Sequence, residues 1–406
     1  MNVQLTKTHT LFITLFLYAL QGLSVSILGV VWPDVRHTFG MPLEAIGTLI
    51  TVSMVSHLLA SFNNGRFLNR FSMGKMLFTG TLTTTLGLWG MALAPNWPTL
   101  ILASFITGWG AGLLNPSLNT IAAEDKRPKS MHWLHAAFGI GASTGPLIIT
   151  WLMSMGLSWR TGYWLIGGIF ALTAVLFLAT ISQWQSTIKN TFAQAANPET
   201  AVTLRQTLTR PIVWLSMLFF FLYTGMEVTV GQWSYSLFTE ARNITPVQAG
   251  LWVSAFYGSI TVGRIVLGWL NLAHASWKIY ASLLGVIVGA GLLWLNWGWT
   301  GEAAVVIIGL CASAIFPMIM AGTSQRVGET FTTHAIGLQV ATASIGASVV
   351  PGLAGLAAGK WGLEIIGLFV MVTAVLLLLV HQKTEHTYST PKRIYHTVKQ
   401  TKKHAI

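Results

Sequence analysis

The chain is a succession of apolar runs, each long enough to cross a lipid bilayer as a helix. A spanning helix needs roughly 20 mostly apolar residues, and clusters of glycine, proline and charge divide the sequence into runs of about that length. The runs are residues 9–32, 43–65, 76–94, 98–123, 131–156, 160–182, 211–238, 246–270, 277–297, 301–325, 332–357 and 361–381. The pattern predicts an all-α membrane protein with twelve transmembrane helices.

The low content of charge excludes a water-soluble domain. Charged residues make up 8% of the chain, whereas a soluble domain carries roughly 25% because it must cover its surface for water. The formal net charge is +12, but the basic residues lie in short clusters between apolar runs and in a tail from Lys392 to Lys403. Such clusters meet anionic lipid headgroups, so the expected partner of this surface is the bilayer and not a nucleic acid.

The basic residues also predict how the helices are oriented. Alternate loops and both termini carry most of the lysine and arginine residues. Arg264 and Lys278 are counted among them, as the basic residues of the segment after the eighth run. The remaining loops hold Arg36, Arg160, Arg242 and Lys360. Because positively charged loops stay in the cytoplasm, we expect both termini on the cytoplasmic side of a bacterial inner membrane.

A sequence repeat divides the chain into two similar halves. Residues 140–143 (IGAS) in the fifth run return as residues 345–348 in the eleventh, and residues 65–66 (GR) at the end of the second run return as residues 263–264 in the eighth. Six runs per half give both halves the same orientation in the membrane. We therefore predict an N-terminal six-helix bundle at 1–182, a cytoplasmic central loop at 183–210, a C-terminal six-helix bundle at 211–382 and a basic cytoplasmic tail at 383–406.

Three segments resemble a known family of transporters. Residues 65–75 (GRFLNRFSMGK) resemble the cytoplasmic loop signature of the major facilitator superfamily, with Asn69 in place of the usual aspartate. Residues 112–119 (GLLNPSLN) and 221–228 (FLYTGMEV) are similar to the fucose-permease-like sugar:cation symporters of that superfamily. The resemblance implies two pseudo-symmetric six-helix bundles in a chain that usually works as a monomer. The acids that fucose permease carries in its first and fourth spans are missing here, so the coupling chemistry has to be deduced from this chain.

Glu227 is the acid that lies deepest in a predicted span, about halfway along the seventh run. An ionisable side chain in hydrocarbon costs roughly 2.5–3.5 kcal/mol on insertion scales. We predict that Glu227 couples transport to H⁺ or Na⁺, and the alternative is a protonated structural carboxyl bonded to a neighbouring helix. The sequence has no phosphate-binding loop, metal-ligand spacing or nucleophile motif. We therefore expect no cofactor, no metal and no enzymatic activity.

Polar and aromatic side chains in the other runs are candidates for binding the solute. Asn115 and Asn119 lie one helical turn apart around Pro116, which predicts a kink, and amides that both donate and accept hydrogen bonds suit hydroxyl-rich solutes. Trp233 offers a ring on which a sugar can stack. Each of these side chains has helix packing as its alternative role. The predicted substrate-binding residues are Gln21, His57, Asn115, Asn119, His135, Tyr223, Trp233 and Gln339.

The basic loop between the second and third runs predicts a conformational latch. Cationic side chains at a helix end can pair with opposite charges or helix C-termini in one state of a transport cycle. The alternative is that these charges only set the orientation of the helices. The predicted latch residues are Gly65, Arg66, Asn69, Arg70, Gly74 and Lys75.

Together these features predict a secondary active transporter that moves a small polar solute, such as a sugar, by alternating access and proton-coupled symport. A proton-coupled exporter of drugs or amphiphiles is the alternative, because aromatic residues make up 11% of the chain and suit apolar cargo. A channel is disfavoured, since pores need rings of like residues and a two-fold repeat offers none.

Overall fold

The computed structural model describes residues 7–124, 130–184, 203–269 and 276–403. Within these ranges, twelve helical segments are long and apolar enough to cross a membrane, and no strand occurs among them. The helices pack as two similar groups of six. The predicted fold class, an all-α membrane protein of two pseudo-symmetric six-helix bundles, is confirmed.

The membrane helices are numbered in chain order. The first half contains α1 (Lys7–Phe39), α2 (Ile46–Arg70), α3 (Met73–Leu93), α4 (Trp97–Glu124), α5 (Ser130–Ser154) and α6 (Trp159–Ala179). The second half contains α7 (Pro211–Ser236, extended by a π-helical turn at Leu237–Ala241), α8 (Pro246–Trp269), α9 (Ser276–Leu295), α10 (Thr300–Ala312, continued at Ile315–Ala321), α11 (Thr332–Trp361) and α12 (Ile365–Lys403).

The predicted central loop and the predicted C-terminal tail both contain helix. The helix α12 continues to Lys403 and so runs through most of the predicted tail. The predicted central loop contains a short helix at Leu204–Leu208, whose first turn is closed by a reciprocal cap between Thr203 and Gln206. Residues 185–202 of that loop lie outside the described part of the chain.

A proline decides where α10 is interrupted. Pro317 has no N–H, and its ring clashes with the carbonyl four residues earlier, which explains why the first part of α10 ends at Ala312. The carbonyl of Ala312, the last residue of this first part, accepts a hydrogen bond of 2.9 Å from the hydroxyl of Tyr223 in α7. The helix α4, by contrast, continues through Pro116.

Helix contacts in the first half have counterparts in the second. The helix α1 packs on α5 as α7 packs on α11, and α2 packs on α4 as α8 packs on α10. The repeated IGAS sequence explains one of these pairs. Gly141 lies against the backbone of Ala19 in α1, and Gly346 lies against the backbone of Phe221 in α7, with no room for a Cβ atom at either glycine. The repeat in sequence is therefore a repeat in close helix packing.

The two halves meet along three helix pairs, namely α1 with α7, α2 with α11 and α5 with α8. The face of the bundle where α1 begins and α12 ends is termed the terminal face, and the opposite one the distal face. Near the distal face, Gly47 of α2 packs directly on Gly352 of α11. One turn further in, the Ser348 hydroxyl donates to Thr51 Oγ1 at 3.1 Å. These contacts close the seam between α2 and α11 on the distal side.

Toward the terminal face, α2 and α11 separate. Residues eleven apart share a helix face, because three turns of 3.6 residues nearly equal eleven. Phe62 lies on the face of α2 that carries Thr51, and it is 72% exposed. Gly337 lies on the face of α11 that carries Ser348, and it is also exposed. The halves are therefore closed at the distal face and open between these two helices toward the terminal face.

Candidate functional site

An ion pair lies in the middle of the second half. Glu227 is near mid-length in α7, and Nη2 of Arg264 in α8 lies 3.3 Å from each of its two carboxylate oxygens. The side chain of Glu227 is 19% exposed and that of Arg264 is 26% exposed. A lone charge in a membrane-spanning helix is costly, and pairing makes each of the two tolerable. Both side chains therefore keep part of their surface accessible.

Arg264 corrects the charge count made from the sequence. That count placed Arg264 in a cytoplasmic segment, whereas α8 continues to Trp269 and the guanidinium contacts Glu227 within a membrane-spanning segment. The assignment is wrong because it counted Arg264 with the segment that follows the eighth run, although the run at 246–270 already contains this residue. The need of a membrane carboxylate for a partner is the signal that could have identified Arg264, because it directs attention to cations on the helices next to Glu227.

Two tyrosines of the second half flank the pair. Tyr223 lies one turn before Glu227, is 1% exposed and interacts with both charged groups, while its hydroxyl donates to the carbonyl of Ala312. Tyr257 of α8 places its hydroxyl against Gly231 of α7, within electrostatic reach of Glu227. Tyr223, predicted to bind substrate, therefore lies next to the coupling candidate and braces α7 against the interruption in α10.

The first half presents a polar cluster to the same place. Asn119 Nδ2 donates to the carbonyl of Asn115 at 2.8 Å and lies 3.4 Å from the Tyr18 hydroxyl of α1. The ring centres of His135 and Phe138 in α5 lie 5.9 and 5.6 Å from that of Tyr18. The Tyr18 hydroxyl is in turn within electrostatic reach of the guanidinium of the ion pair. Tyr18, which the sequence analysis missed, connects three predicted residues of the first half to the charged site of the second.

Other predicted binding residues are held by contacts of their own. Trp233 is fully buried, and its Nε1–H donates to the carbonyl of Pro351 in α11 at 3.0 Å. Its ring is therefore packed against α11 in this conformation. Gln339 is 1% exposed and accepts a hydrogen bond of 3.1 Å from the Thr323 hydroxyl. His57 is half-buried in α2, at a point where its backbone packs closely on α4.

Several buried polar atoms of the central helices have no hydrogen-bond partner among the described residues. They are Gln21 Nε2 of α1, Thr224 Oγ1, Gln232 Oε1 and Ser236 Oγ of α7, and Arg264 Nε of α8. Leaving such an atom unpaired costs roughly 1–3 kcal/mol. A polar ligand or a bridging water is the usual way to satisfy it, so these atoms indicate where the bundle has capacity for a polar solute.

A second ion pair joins the two halves at the distal face. Arg36, near the end of α1, donates from Nε at 3.2 Å and from Nη2 at 2.9 Å to Glu240 Oε1, in the turn that extends α7. Sequence reasoning did not pair these residues, which are 204 positions apart in the chain. The pair therefore holds the two halves together at the distal face, where the seam between α2 and α11 is also closed.

The predicted latch loop has contacts of a different kind. Arg66 is exposed and lies 3.3 Å from the side-chain oxygen of Asn63 on its own helix, and Gly65 and Arg70 are exposed as well. The N–H of Lys75 donates to the Ser72 side chain and so caps α3, and Gly74 packs on the backbone of Ile181. The side chain of Asn69 lies outside the described residues. The contacts described for this loop all stay within the first half.

Comparison with known proteins identifies the family. A family model described as Major Facilitator Superfamily matches residues 14–308, which is more than half of the chain. The chain belongs to the major facilitator superfamily. It is 24% identical over 352 residues to the 3-(3-hydroxy-phenyl)propionate transporter of Escherichia coli (strain K12), with 84% of each chain covered. It is 23% identical over 272 residues to the glucose/mannose transporter GlcP of Bacillus subtilis (strain 168), covering 65% of this chain and 66% of that one.

Solved structures of this superfamily have the same fold. A bacterial homologue of the human lysosomal transporter Spinster, inward-facing and unoccupied, matches with a TM-score of 0.78 at 13% identity, over 94% of this chain and 97% of the other. The major facilitator superfamily transporter FucP, in the outward conformation, matches with a TM-score of 0.60 at 16% identity, over 92% and 98%. The resemblance to sugar symporters of this superfamily is confirmed, and the protein is a multi-pass membrane transporter.

Proposed function

We propose that this transporter is a proton-coupled symporter of a small polar solute, such as a sugar, and that Glu227 is its coupling group. The Glu227–Arg264 pair carries the proposal, because it places a partly exposed carboxylate at mid-span beside the polar cluster of the other half. Protonation removes the charge of Glu227 and leaves Arg264 without its counter-charge. Arg264 can then bind a polar group of the solute, so the proton and the solute act on the same site. Relatives named for glucose and mannose and for a hydroxyphenyl propionate support a small polar solute.

We assign the terminal face to the cytoplasm. Its loops carry the larger share of cationic side chains, even after Arg264 is removed from the count, and the positive-inside tendency supports this orientation. With that orientation, the distal closure and the terminal opening correspond to a state open to the cytoplasm. Opening to the other side requires the Arg36–Glu240 pair and the Thr51–Ser348 contact to separate, as in a rocking motion of two rigid halves.

The test is transport by the purified full chain in proteoliposomes with an imposed pH gradient. A panel of small polar solutes, with hexoses, pentoses and sugar acids, is added outside, and an internal dye reports acidification. We expect solute-dependent acidification that falls to background in Glu227→Gln and persists in the control Glu329→Gln, which alters an exposed acid. A sodium gradient in place of the pH gradient tests the other ion. Uptake with an unchanged pH dependence in Glu227→Gln would contradict the proposal.

An exporter of amphiphiles by proton antiport is the second candidate. The observation that favours it is the apolar surface exposed where α2 and α11 separate, at Val55 (49%), Leu59 (47%) and Phe62 (72%). An amphiphile that enters from the lipid would meet these side chains first. In the same vesicles, movement of lipophilic cations or lysolipids against protons, with no movement of sugars, would establish the exporter.

A further inference from the structure

The geometry points to a solute that carries a carboxylate, which binds Arg264 in exchange for Glu227. The protein would then cotransport a hydroxylated organic acid, such as a sugar acid, with one proton. This inference rests on the proposed symport and narrows its solute from small polar molecules to acids. The observation behind it is the hydrogen bonding of the Arg264 guanidinium.

Arg264 has donors that its partner does not use. A guanidinium presents five N–H donors in a rigid fork, and a strong contact with a carboxylate has N–O distances of about 2.7–2.9 Å. Glu227 receives one nitrogen, Nη2, at 3.3 Å from both oxygens. The buried Nε has no hydrogen-bond partner among the described residues. The guanidinium also interacts with the Tyr223 side chain, but Nε stays without an acceptor, so part of its fork is left for a second one.

Another arginine of the same chain shows the contrast. Arg242, at the distal end of the second half, donates from Nε at 2.9 Å and from Nη2 at 2.6 Å to the two carboxylate oxygens of Glu364. Arg242 also has one buried nitrogen, Nη1, without a partner among the described residues, so the contrast lies in bond geometry and access: its side chain is 4% exposed, against 26% for Arg264. Arg242 therefore has the two-bond geometry of a permanent structural pair. Arg264 has the geometry and the access of a group that exchanges partners.

Charge balance then couples the acid to a proton. One guanidinium compensates one carboxylate, and a second carboxylate beside it leaves an uncompensated charge in a membrane-spanning region, which is costly. When the carboxylate of a solute takes Arg264, Glu227 has to accept a proton to become neutral. A monocarboxylate and one proton together carry no net charge, so this transport is electroneutral. By reciprocity, protons raise the affinity for the acid by the same factor as the acid raises the affinity for protons.

The other half of the site supplies contacts for hydroxyl groups. The amides of Asn115 and Asn119 and the hydroxyl of Tyr18 form one hydrogen-bonded group that comes within electrostatic reach of Arg264. The titratable groups that interact with Glu227 are Arg264 and Tyr257 from α8 and Tyr223 on its own helix. From the first half, Tyr18 interacts with Arg264, and His135 contacts the Tyr18 ring. An acid with hydroxyls at its far end would bridge the two halves.

The experiment compares matched pairs of solutes in proteoliposomes that contain the full chain. Galacturonate is compared with galactose, and glucuronate with glucose, under the same inward proton gradient. We expect a sugar acid to acidify the lumen while its neutral partner moves little. Because transport is electroneutral, a potential imposed with potassium and valinomycin should leave the rate of acid uptake unchanged.

Variants separate the roles of the two charged groups. Arg264→Gln should lose binding and transport of the acid, Arg264→Lys should recover part of it because the charge remains without the fork, and Arg205→Gln, at an exposed site, should behave as the unaltered protein. Glu227→Gln removes the competitor. It should bind the acid more tightly at neutral pH, by roughly fivefold or more, and lose the pH dependence of binding. This last measurement holds even if Arg264→Gln fails to fold.

Three results would overturn the inference. Proton-coupled uptake of a neutral sugar, with no binding or uptake of its acid, would leave the proposed symport in place and remove the acid as its solute. Acid uptake that is unaffected in Arg264→Gln would show that another group binds the carboxylate. If no sugar or acid binds or moves while lipophilic cations leave the vesicles, both the inference and the symport fail.

Discussion

Two ion pairs of this protein have similar exposure, but one joins the two halves and the other lies within a single half. The distal pair, Arg36 with Glu240, has side chains 21% and 20% exposed, and the central pair, Arg264 with Glu227, has side chains 26% and 19% exposed. The distal pair joins α1 to the end of α7 through two N–H bonds to one oxygen. The central pair lies within the second half and uses one nitrogen.

The place of an ion pair in the topology, more than its burial, decides what the pair does. A pair that crosses between rocking halves has to break in each cycle, so it controls which state is populated. A pair within one half can persist through the motion, so it is available to a proton and a solute in both states.

The largest effect is expected when the distal closure is made covalent. The hydroxyl oxygens of Thr51 and Ser348 are 3.1 Å apart, so cysteines at both positions are placed for a disulfide, which needs Cβ atoms about 3.5–4.5 Å apart. With the single native cysteine, Cys311, replaced by alanine, oxidised Thr51→Cys/Ser348→Cys should lose transport, because the seam cannot open.

Reductant should restore the transport of this variant, and each single cysteine variant should remain active under oxidant. The measurement is the proteoliposome assay before and after reduction. Full transport by protein that gel analysis shows to be cross-linked would mean that this seam does not open in the cycle.

The central pair should show a smaller effect, on stability, in a double-mutant cycle. Removing one partner of a buried pair costs about 3–5 kcal/mol, and the partial exposure here reduces the expected loss to about 1–3 kcal/mol. Arg264→Gln should therefore unfold at a lower temperature, and Glu227→Gln/Arg264→Gln should regain most of the loss, because no unpaired charge remains. Thermal unfolding in detergent measures this, with Arg205→Gln as the control. Strictly additive losses would show that the two charges do not stabilise each other.

The smallest effect is expected from the distal pair. A solvent-accessible pair contributes roughly 0.2–1 kcal/mol, so Arg36→Gln should raise the population of the distal-open state by at most about fivefold. The readout is the rate at which an impermeant maleimide reacts with Ser348→Cys from the distal side. The charge swap Arg36→Glu/Glu240→Arg should restore the slow rate. Equal rates in all three proteins would remove the distal pair from the control of this equilibrium.

Much of the fold followed from local sequence. A membrane helix needs only a run of apolar residues of the right length, so the segments around α1 to α12 could be found one at a time. The repeated IGAS sequence also predicted a packing relation, because glycines such as Gly141 and Gly346 permit close approach of helices wherever they occur. The depth of Glu227 could be read in the same way, from its distance to the ends of one run.

The partners of these groups could not be predicted in this way. Arg264 reads as a loop cation in the sequence, and the structure places it against a carboxylate 37 residues earlier. Tyr18 lies in no distinguishing sequence pattern, and it joins the polar cluster through its contact with Asn119, which is 101 residues away in the chain. Trp233 looked suited to a sugar ring, and the packing of α7 on α11 buries it in this conformation.

The order of the residues along the chain is enough to predict twelve membrane helices in two similar halves, with one carboxylate deep among them. Which cation contacts that carboxylate, which polar groups of the first half lie near it, and which side of the bundle is closed all depend on the packing of the helices. The physical reason is that hydropathy and the spacing of small residues act within one helix. A charge pair, a hydrogen bond between halves and a closed seam depend instead on how helices distant in the chain are placed side by side.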